Sequence, residues 1–178
     1  MFANPRENLG KFGLSPGSFV ADLGAGAGDY AFVAAKMVSG KEMDGKVYAI
    51  DVQQNLLDRI KNEANCEHLN NIEIIWGNAE KIGGTKLRDA SMDAVIASNI
   101  FFQVENRENF AKEIARILKS KGRLFFIDWS DSYGSIGPKT DAVVTESQAK
   151  TFFENNGFIV EKDVPVGSHH YGLVIRKK

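Results

Sequence analysis

The chain has one cysteine, Cys66, in 178 residues, so no internal disulfide can brace it and stability must come from packing. Cys66 sits among Asn65, Glu67 and His68 near an expected helix end, where a structurally neutral thiol is the simpler reading than a nucleophile. No apolar run approaches the roughly 20 residues of a membrane span. The first residues, Met1 to Glu7, lack the basic-then-apolar pattern of a signal peptide, so a cytoplasmic location is expected. The 3 histidines offer no third ligand spaced to join His169-His170 around a metal, and no metal centre is expected. Positive charge is not concentrated either. Net charge is −1, and Lys119/Lys121 and Arg176-Lys177-Lys178 are the only local clusters, which disfavours nucleic acid as a partner. Repeats, low-complexity tracts and linkers are absent, so residues 1–178 read as a single domain.

What is present is an ordinary globular balance, 43% hydrophobic and 25% charged residues. Apolar runs alternate with amphipathic segments. Short strands are predicted at 19–23, 46–51, 71–76, 93–98, 122–128, 158–164 and 169–176. Helices are predicted at 30–38, 53–65, 106–118 and from the Thr145-Glu146-Ser147-Gln148 capping box to Asn156. Asn4-Pro5-Arg6-Glu7 opens a further short helix within residues 1–14. Residues 81–91, with Gly83-Gly84, read as an irregular link, and 39–45 and 129–141 as loops. Only Pro165-Val166-Gly167-Ser168 separates the last two strands, so they form an antiparallel hairpin. The expected fold is α/β: an open, mostly parallel seven-stranded sheet with helices on both faces and an antiparallel C-terminal strand.

In such a sheet, ligands bind beyond the carboxyl ends of the strands. The most telling stretch there is Val20-Ala21-Asp22-Leu23-Gly24-Ala25-Gly26-Ala27-Gly28-Asp29-Tyr30, a buried strand, a glycine turn and a helix start. Glycines let a backbone approach a ligand closely. Asp51 ends the next strand, where an acid can accept from both hydroxyls of a ribose. Alone it would read as a solvated strand-end acid; beside the glycine loop it points to an adenosine-containing ligand. The dinucleotide fingerprint G-x-G-x-x-G would place its third glycine at Asp29, and an acid there opposes a pyrophosphate. The observed G-x-G-x-G, preceded by Asp22, suits a ligand with a cationic amino group and no phosphate.

These residues resemble the motifs of class I S-adenosylmethionine-dependent methyltransferases. The glycine stretch is similar to their first motif and Val47-Tyr48-Ala49-Ile50-Asp51 to their second-strand acid. Gly77-Asn78-Ala79-Glu80 stands where the family often has Gly-Asp-Ala, and 93–99 and 122–128 resemble later motifs. The likeness runs from about Ser15 to the C-terminus and is nearest to small-molecule enzymes related to quinone pathways. It implies S-adenosylmethionine as cofactor, held by Asp22, Gly24, Ala25, Gly26, Gly28, Tyr30, Asp51, Val52, Asn78, Ala79, Glu80 and Asn99. Within that set, residues 24–28 would line methionine and ribose, Asn78 and Ala79 would face adenine, and Asn99 would lie near the methionine end. Asn78 departs from the usual acid, although an amide oxygen still accepts from an exocyclic amine. Ser98-Asn99-Ile100-Phe101-Phe102 lacks the Asn/Asp-Pro-Pro-Tyr pattern of enzymes that methylate amino groups of nucleic acids.

The reaction so implied is in-line methyl transfer to a small-molecule acceptor, with a base needed only if the acceptor must lose a proton. Candidates for that base are His169, His170, Asp128 and Asp131, each of which reads first as a polar residue at a hairpin mouth and second as a base. Strand alternation sends the two histidines to opposite faces, so at most one reaches a common pocket. Trp129, Tyr133, Phe101 and Phe102 are candidates for an apolar acceptor wall, with core packing the alternative for both phenylalanines. The helix in residues 1–14 and the 129–141 loop are candidate covers, and a partner subunit in a homodimer is another way to complete the site. Two rivals stand beside this reading: a non-catalytic S-adenosylmethionine-binding module, and a nicotinamide-dependent oxidoreductase.

Overall fold

Apolar runs that alternate with amphipathic ones must pair as strands and cover them with helices. The computed structural model, which describes residues 4–40, 45–134 and 137–178, has that architecture. In chain order the elements are α1 (Pro5–Phe12), β1 (Phe19–Leu23), α2 (Asp29–Val38), β2 (Lys46–Asp51), α3 (Gln54–Cys66), β3 (Ile72–Trp76), β4 (Met92–Ser98), α4 (Arg107–Ile117), β5 (Leu118–Trp129), α5 (Glu146–Asn155), β6 (Phe158–Val164) and β7 (His170–Lys177). Short 3-10 turns lie at Phe101–Gln103 and Thr140–Ala142. The strands form one 7-stranded sheet ordered β3-β2-β1-β4-β5-β7-β6. Pairings among β1 to β5 are parallel, and β7 runs antiparallel to both β5 and β6. The expected single reversed strand is therefore β7.

Alternation distributes the side chains between two helical layers. Val20, Val47 and Ala49 pack with Leu9, Phe12, Ala31, Leu57 and Ile60 of α1, α2 and α3. Ala21, Leu23, Phe126 and Leu173 pack with Phe110, Ile114, Ala149 and Phe153 of α4 and α5. The helix ends follow the sequence signals. Asn4 accepts from the backbone N–H groups of Arg6 and Glu7 at 3.0 and 3.3 Å, and Gly13 closes α1 at φ +78°. Thr145 and Gln148 form the reciprocal capping box of α5.

Two elements differ from the sequence expectation. β5 starts at Leu118, not at 122, because Leu118 already pairs with Met92 before an irregularity in the ladder between Met92 and Ala94. α4 accordingly stops at Ile117. Of the loops read from sequence, residues 41–44 and 135–136 lie outside the described residues, as do residues 1–3 of the N-terminal segment. The chain works outward from β1 to β3 and then returns to place β4 on the other side of β1. The reversal opens a crevice between the β1 and β4 ends, where ligands bind in folds of this kind.

Candidate active site

The crevice is a cleft of about 390 Å³. Its floor is the turn after β1. Gly24 and Gly26 hold φ +68° and +55°, values that L side chains rarely adopt. A side chain at Gly24 would also strike Ile100, which arches over the turn from the end of β4. Asp51 fastens the turn from β2: its Oδ2 accepts from the Gly26 N–H at 3.0 Å and its Oδ1 from the Gln53 N–H at 2.8 Å. Each oxygen keeps a second lone pair, so Asp51 can brace the turn and still accept from a ligand hydroxyl.

Asp22 sits behind the turn, only 2% exposed, and its Oδ2 has no hydrogen-bond partner among the described residues. Burial, and then the nearby Asp51 carboxylate, push its pKa up to about 7; an N–H from Ala31 opposes this and Asp29 adds to it. At the end of β4, Asn99 holds φ +55° and its Oδ1 is also buried without a partner. The cleft thus has unpaired acceptors and four carboxylates, from Asp22, Asp29, Asp51 and Glu80. That donor-seeking, anionic environment fits the α-ammonium and sulfonium charges of S-adenosylmethionine and opposes a pyrophosphate.

Asp22, Gly24, Ala25, Gly26, Tyr30, Asp51, Val52, Asn78, Ala79, Glu80 and Asn99 all line this cleft. Gly28 does not. It is the N-cap of α2 at φ +91°, and a Cβ there would meet Phe32 Cε2 at 2.8 Å, so its glycine serves helix packing. Asn78 is already engaged: its Oδ1 accepts from the Glu80 N–H at 2.8 Å and shapes the turn after β3. Tyr30 accepts from Asn8 Nδ2 of α1 at 2.9 Å, which ties the N-terminal helix to the cleft wall.

The four base candidates lie beyond the cleft lining, at the ends of β5 and β7. Asp128 is 1% exposed, with its oxygens accepting from the N–H groups of Phe102 and Trp129 at 3.2 and 2.9 Å. Burial pushes its pKa up to about 7 against those bonds and the charge of Arg107. His170 is buried against the Trp129 ring, centroids 4.2 Å apart, and burial, then the neighbouring His169, hold its pKa below the ordinary histidine value. His169 is more open. Its Nδ1 stands 3.0 and 3.1 Å from the two Asp131 oxygens, and Tyr133 packs on the ring at 4.1 Å. β7 begins at His170, so His169 lies in the turn before the strand and not within it as the sequence suggested; the two rings have different neighbours, Tyr133 and Asp131 for His169 and Trp129 for His170. Phe101 belongs to the core, 1% exposed among Phe110, Phe126, Phe152 and Phe153.

Sequence reasoning missed several residues of the site. Ile100, Gln103 and Val104 line the cleft because the chain turns back across it after β4. It also missed Glu113, which secures the helix-free link before β4. Glu113 is fully buried, accepts from the Gly83 and Thr85 N–H groups and the Thr85 hydroxyl, and pairs with Arg116 at 2.7 Å. Burial alone would raise its pKa; Arg116, Thr85 and Gly83 outweigh burial and hold it at about 2. The available signal was spacing, since Glu113 falls on the same helical stripe as Phe110, Ile114 and Ile117.

A family model described as a methyltransferase domain matches residues 21–126. A crystal structure of an S-adenosylmethionine-dependent methyltransferase from Aquifex aeolicus is 31% identical, with TM-score 0.89 over 99% of this chain and 91% of that one. A ubiquinone/menaquinone biosynthesis C-methyltransferase, UbiE, of Francisella tularensis subsp. novicida is 29% identical over 126 residues, 70% of this chain and 48% of the relative. An arsenite methyltransferase of Mus musculus is 28% identical over 123 residues, 66% of this chain and 31% of the relative. The chain therefore spans about half the length, or less, of these curated relatives.

Proposed function

The chain belongs to the methyltransferase-domain family, and we propose that it transfers a methyl group from S-adenosylmethionine to a small-molecule acceptor. The observation that carries this reading is the buried Asp22 carboxylate, whose Oδ2 has no hydrogen-bond partner among the described residues, beside a glycine turn braced by Asp51. S-adenosylmethionine supplies a methyl group on a positively charged sulfur, a good leaving group. Asp22 and Asn99 hold the cationic methionine end, Asp51 holds the ribose, and the turn around Asn78 and Ala79 walls the adenine. Asp22 also offsets positive charge in a water-poor site, so the protein's contribution is chiefly to position and to exclude water.

The small-molecule acceptor is supported by the near-neutral net charge of −1 and by the size of the cleft, about 390 Å³. The named relatives differ in their acceptors: one is a C-methyltransferase of ubiquinone/menaquinone biosynthesis and the other an arsenite methyltransferase. For an acceptor that must lose a proton, the group the geometry favours is His169. Asp131 holds its Nδ1 side, whereas Asp128 is sealed by backbone N–H groups and His170 by Trp129.

Calorimetric titration of the full chain tests the reading. S-adenosylmethionine and S-adenosylhomocysteine bind, and NAD does not. Binding of NAD with no binding of the other two would overturn it. Screening metabolite pools with labelled S-adenosylmethionine then separates transfer from binding alone; cofactor binding with no labelled product would favour the non-catalytic module.

A further inference from the structure

The two edges of the sheet are built differently. β6, at one edge, carries Glu161, Lys162 and Asp163 in succession and an irregularity between Val160 and Lys162. Consecutive charges and a bulge keep an edge strand from pairing with another chain. β3, at the other edge, has none of these devices. Its sequence is Ile72-Glu73-Ile74-Ile75-Trp76, and its one charge is bound to Lys46 of the neighbouring strand. Among the described residues, the outer row of β3 N–H and C=O groups has no strand beside it.

A groove of about 520 Å³ runs along this edge between β3 and α3. Leu57, Leu69, Ile72 and Ile74 line it, and Trp76, 59% exposed, stands at its end. Trp76 is fixed in place by donating from Nε1 to the Val52 carbonyl at 3.0 Å. On the α3 side the groove is flanked by Asp58 and Lys61, both exposed, one helical turn apart and without an ion pair among the described residues.

We propose that this edge is a self-association surface whose occupant is a second copy of the chain, paired antiparallel through β3 about a two-fold axis at Ile74. Antiparallel pairing about Ile74 is self-complementary. It sets Ile72 opposite the partner's Trp76, with Ile74 opposite itself, so one face of the new ladder is wholly apolar. A two-fold axis perpendicular to the sheet keeps both α3 helices on one face and runs them antiparallel. Asp58 of each copy then approaches Lys61 of the other. This pairing of opposite charges on one helix selects a second copy over an unrelated peptide, which would have to supply both charges itself. The proposal rests on the β3 edge and the α3 charges, and not on the methyl-transfer reading.

Sedimentation of the full chain at concentrations up to about 200 μM gives a reversible dimer. Asp58→Lys places like charges across the axis and weakens association at least tenfold. Lys61→Asp does the same, and the double variant Asp58→Lys/Lys61→Asp restores it. Both positions are exposed, and circular dichroism verifies folding. Ile74→Lys abolishes the dimer by charging the edge. In a Cys66→Ser background, Ile74→Cys forms a disulfide-linked dimer on oxidation, since the two copies of residue 74 stand within bonding range. A monomer at every concentration would overturn the proposal. So would a dimer indifferent to Asp58→Lys and Ile74→Lys.

Discussion

At the scale of the residue, the site turns on a carboxylate kept in an unfavourable place. Asp22 has its pKa raised from 3.8 to about 7 in the folded protein, chiefly by burial and then by Asp51. The native state therefore holds a proton that the unfolded chain has released between those values. Stability falls as pH rises from 3.8 to about 7, and the full cost is present above 7. Asp22→Asn removes that cost. At pH 8 it is expected to stabilise the free protein by on the order of 1–3 kcal/mol, read from urea denaturation midpoints. The same change weakens S-adenosylmethionine binding at least tenfold, because a neutral amide cannot balance a cation. In the unchanged protein, affinity declines as pH drops below about 7, where Asp22 takes up a proton. A substitution that left both stability and affinity unaltered would remove Asp22 from the site.

At the scale of the element, the link from β3 to β4 makes a parallel crossover without a helix. Residues 81–91 are instead fastened from outside, by Glu113 and Arg116 of α4. This link begins at the turn of Asn78 and Glu80 that walls the cleft, and Glu80 Oε2 accepts from the Asn106 N–H at the start of α4. Glu113→Ala would leave the Gly83 and Thr85 N–H groups without their acceptor and Arg116 with Asp89 as its remaining carboxylate partner. The expected loss is about 3 kcal/mol of stability, read in urea, with Glu113→Gln losing less. The pair also has a pH signature. Glu113 falls from 4.5 to about 2 on folding, so its contribution is complete above 4.5 and vanishes as pH drops toward 2. An acid limb of the stability curve unchanged by the substitution would contradict this account. The glycines Gly83-Gly84 marked the link as irregular in the sequence. Glu113 was hidden because charge on a helix usually means solvent, although its spacing from Phe110 put it on the buried stripe.

At the scale of the whole molecule, one sheet carries three separable features: a ligand cleft at the switch point, one protected edge and one unprotected edge. A ligand that binds only the folded chain stabilises the whole domain. At one hundred times its dissociation constant, S-adenosylmethionine should add about 2.7 kcal/mol. That raises the melting temperature by roughly 5–10 °C for a chain of this size, while NAD leaves it unmoved. No shift with S-adenosylmethionine would mean that the cleft does not bind it.

The order of strands and helices, the reversed β7, the caps of α1 and α5 and the glycine turn with Asp22 and Asp51 could all be read from the sequence. Each is written in local periodicity or in residues with one conformational use. The tertiary structure alone decided the rest. It turned Gly28 away from the cleft and onto Phe32, put Phe101 in the core, and drew Ile100 and Gln103 into the cleft wall. These outcomes depend on which distant segments meet across the sheet, as β1 meets β4 and β5 meets β7. Local sequence carries only one side of each such contact.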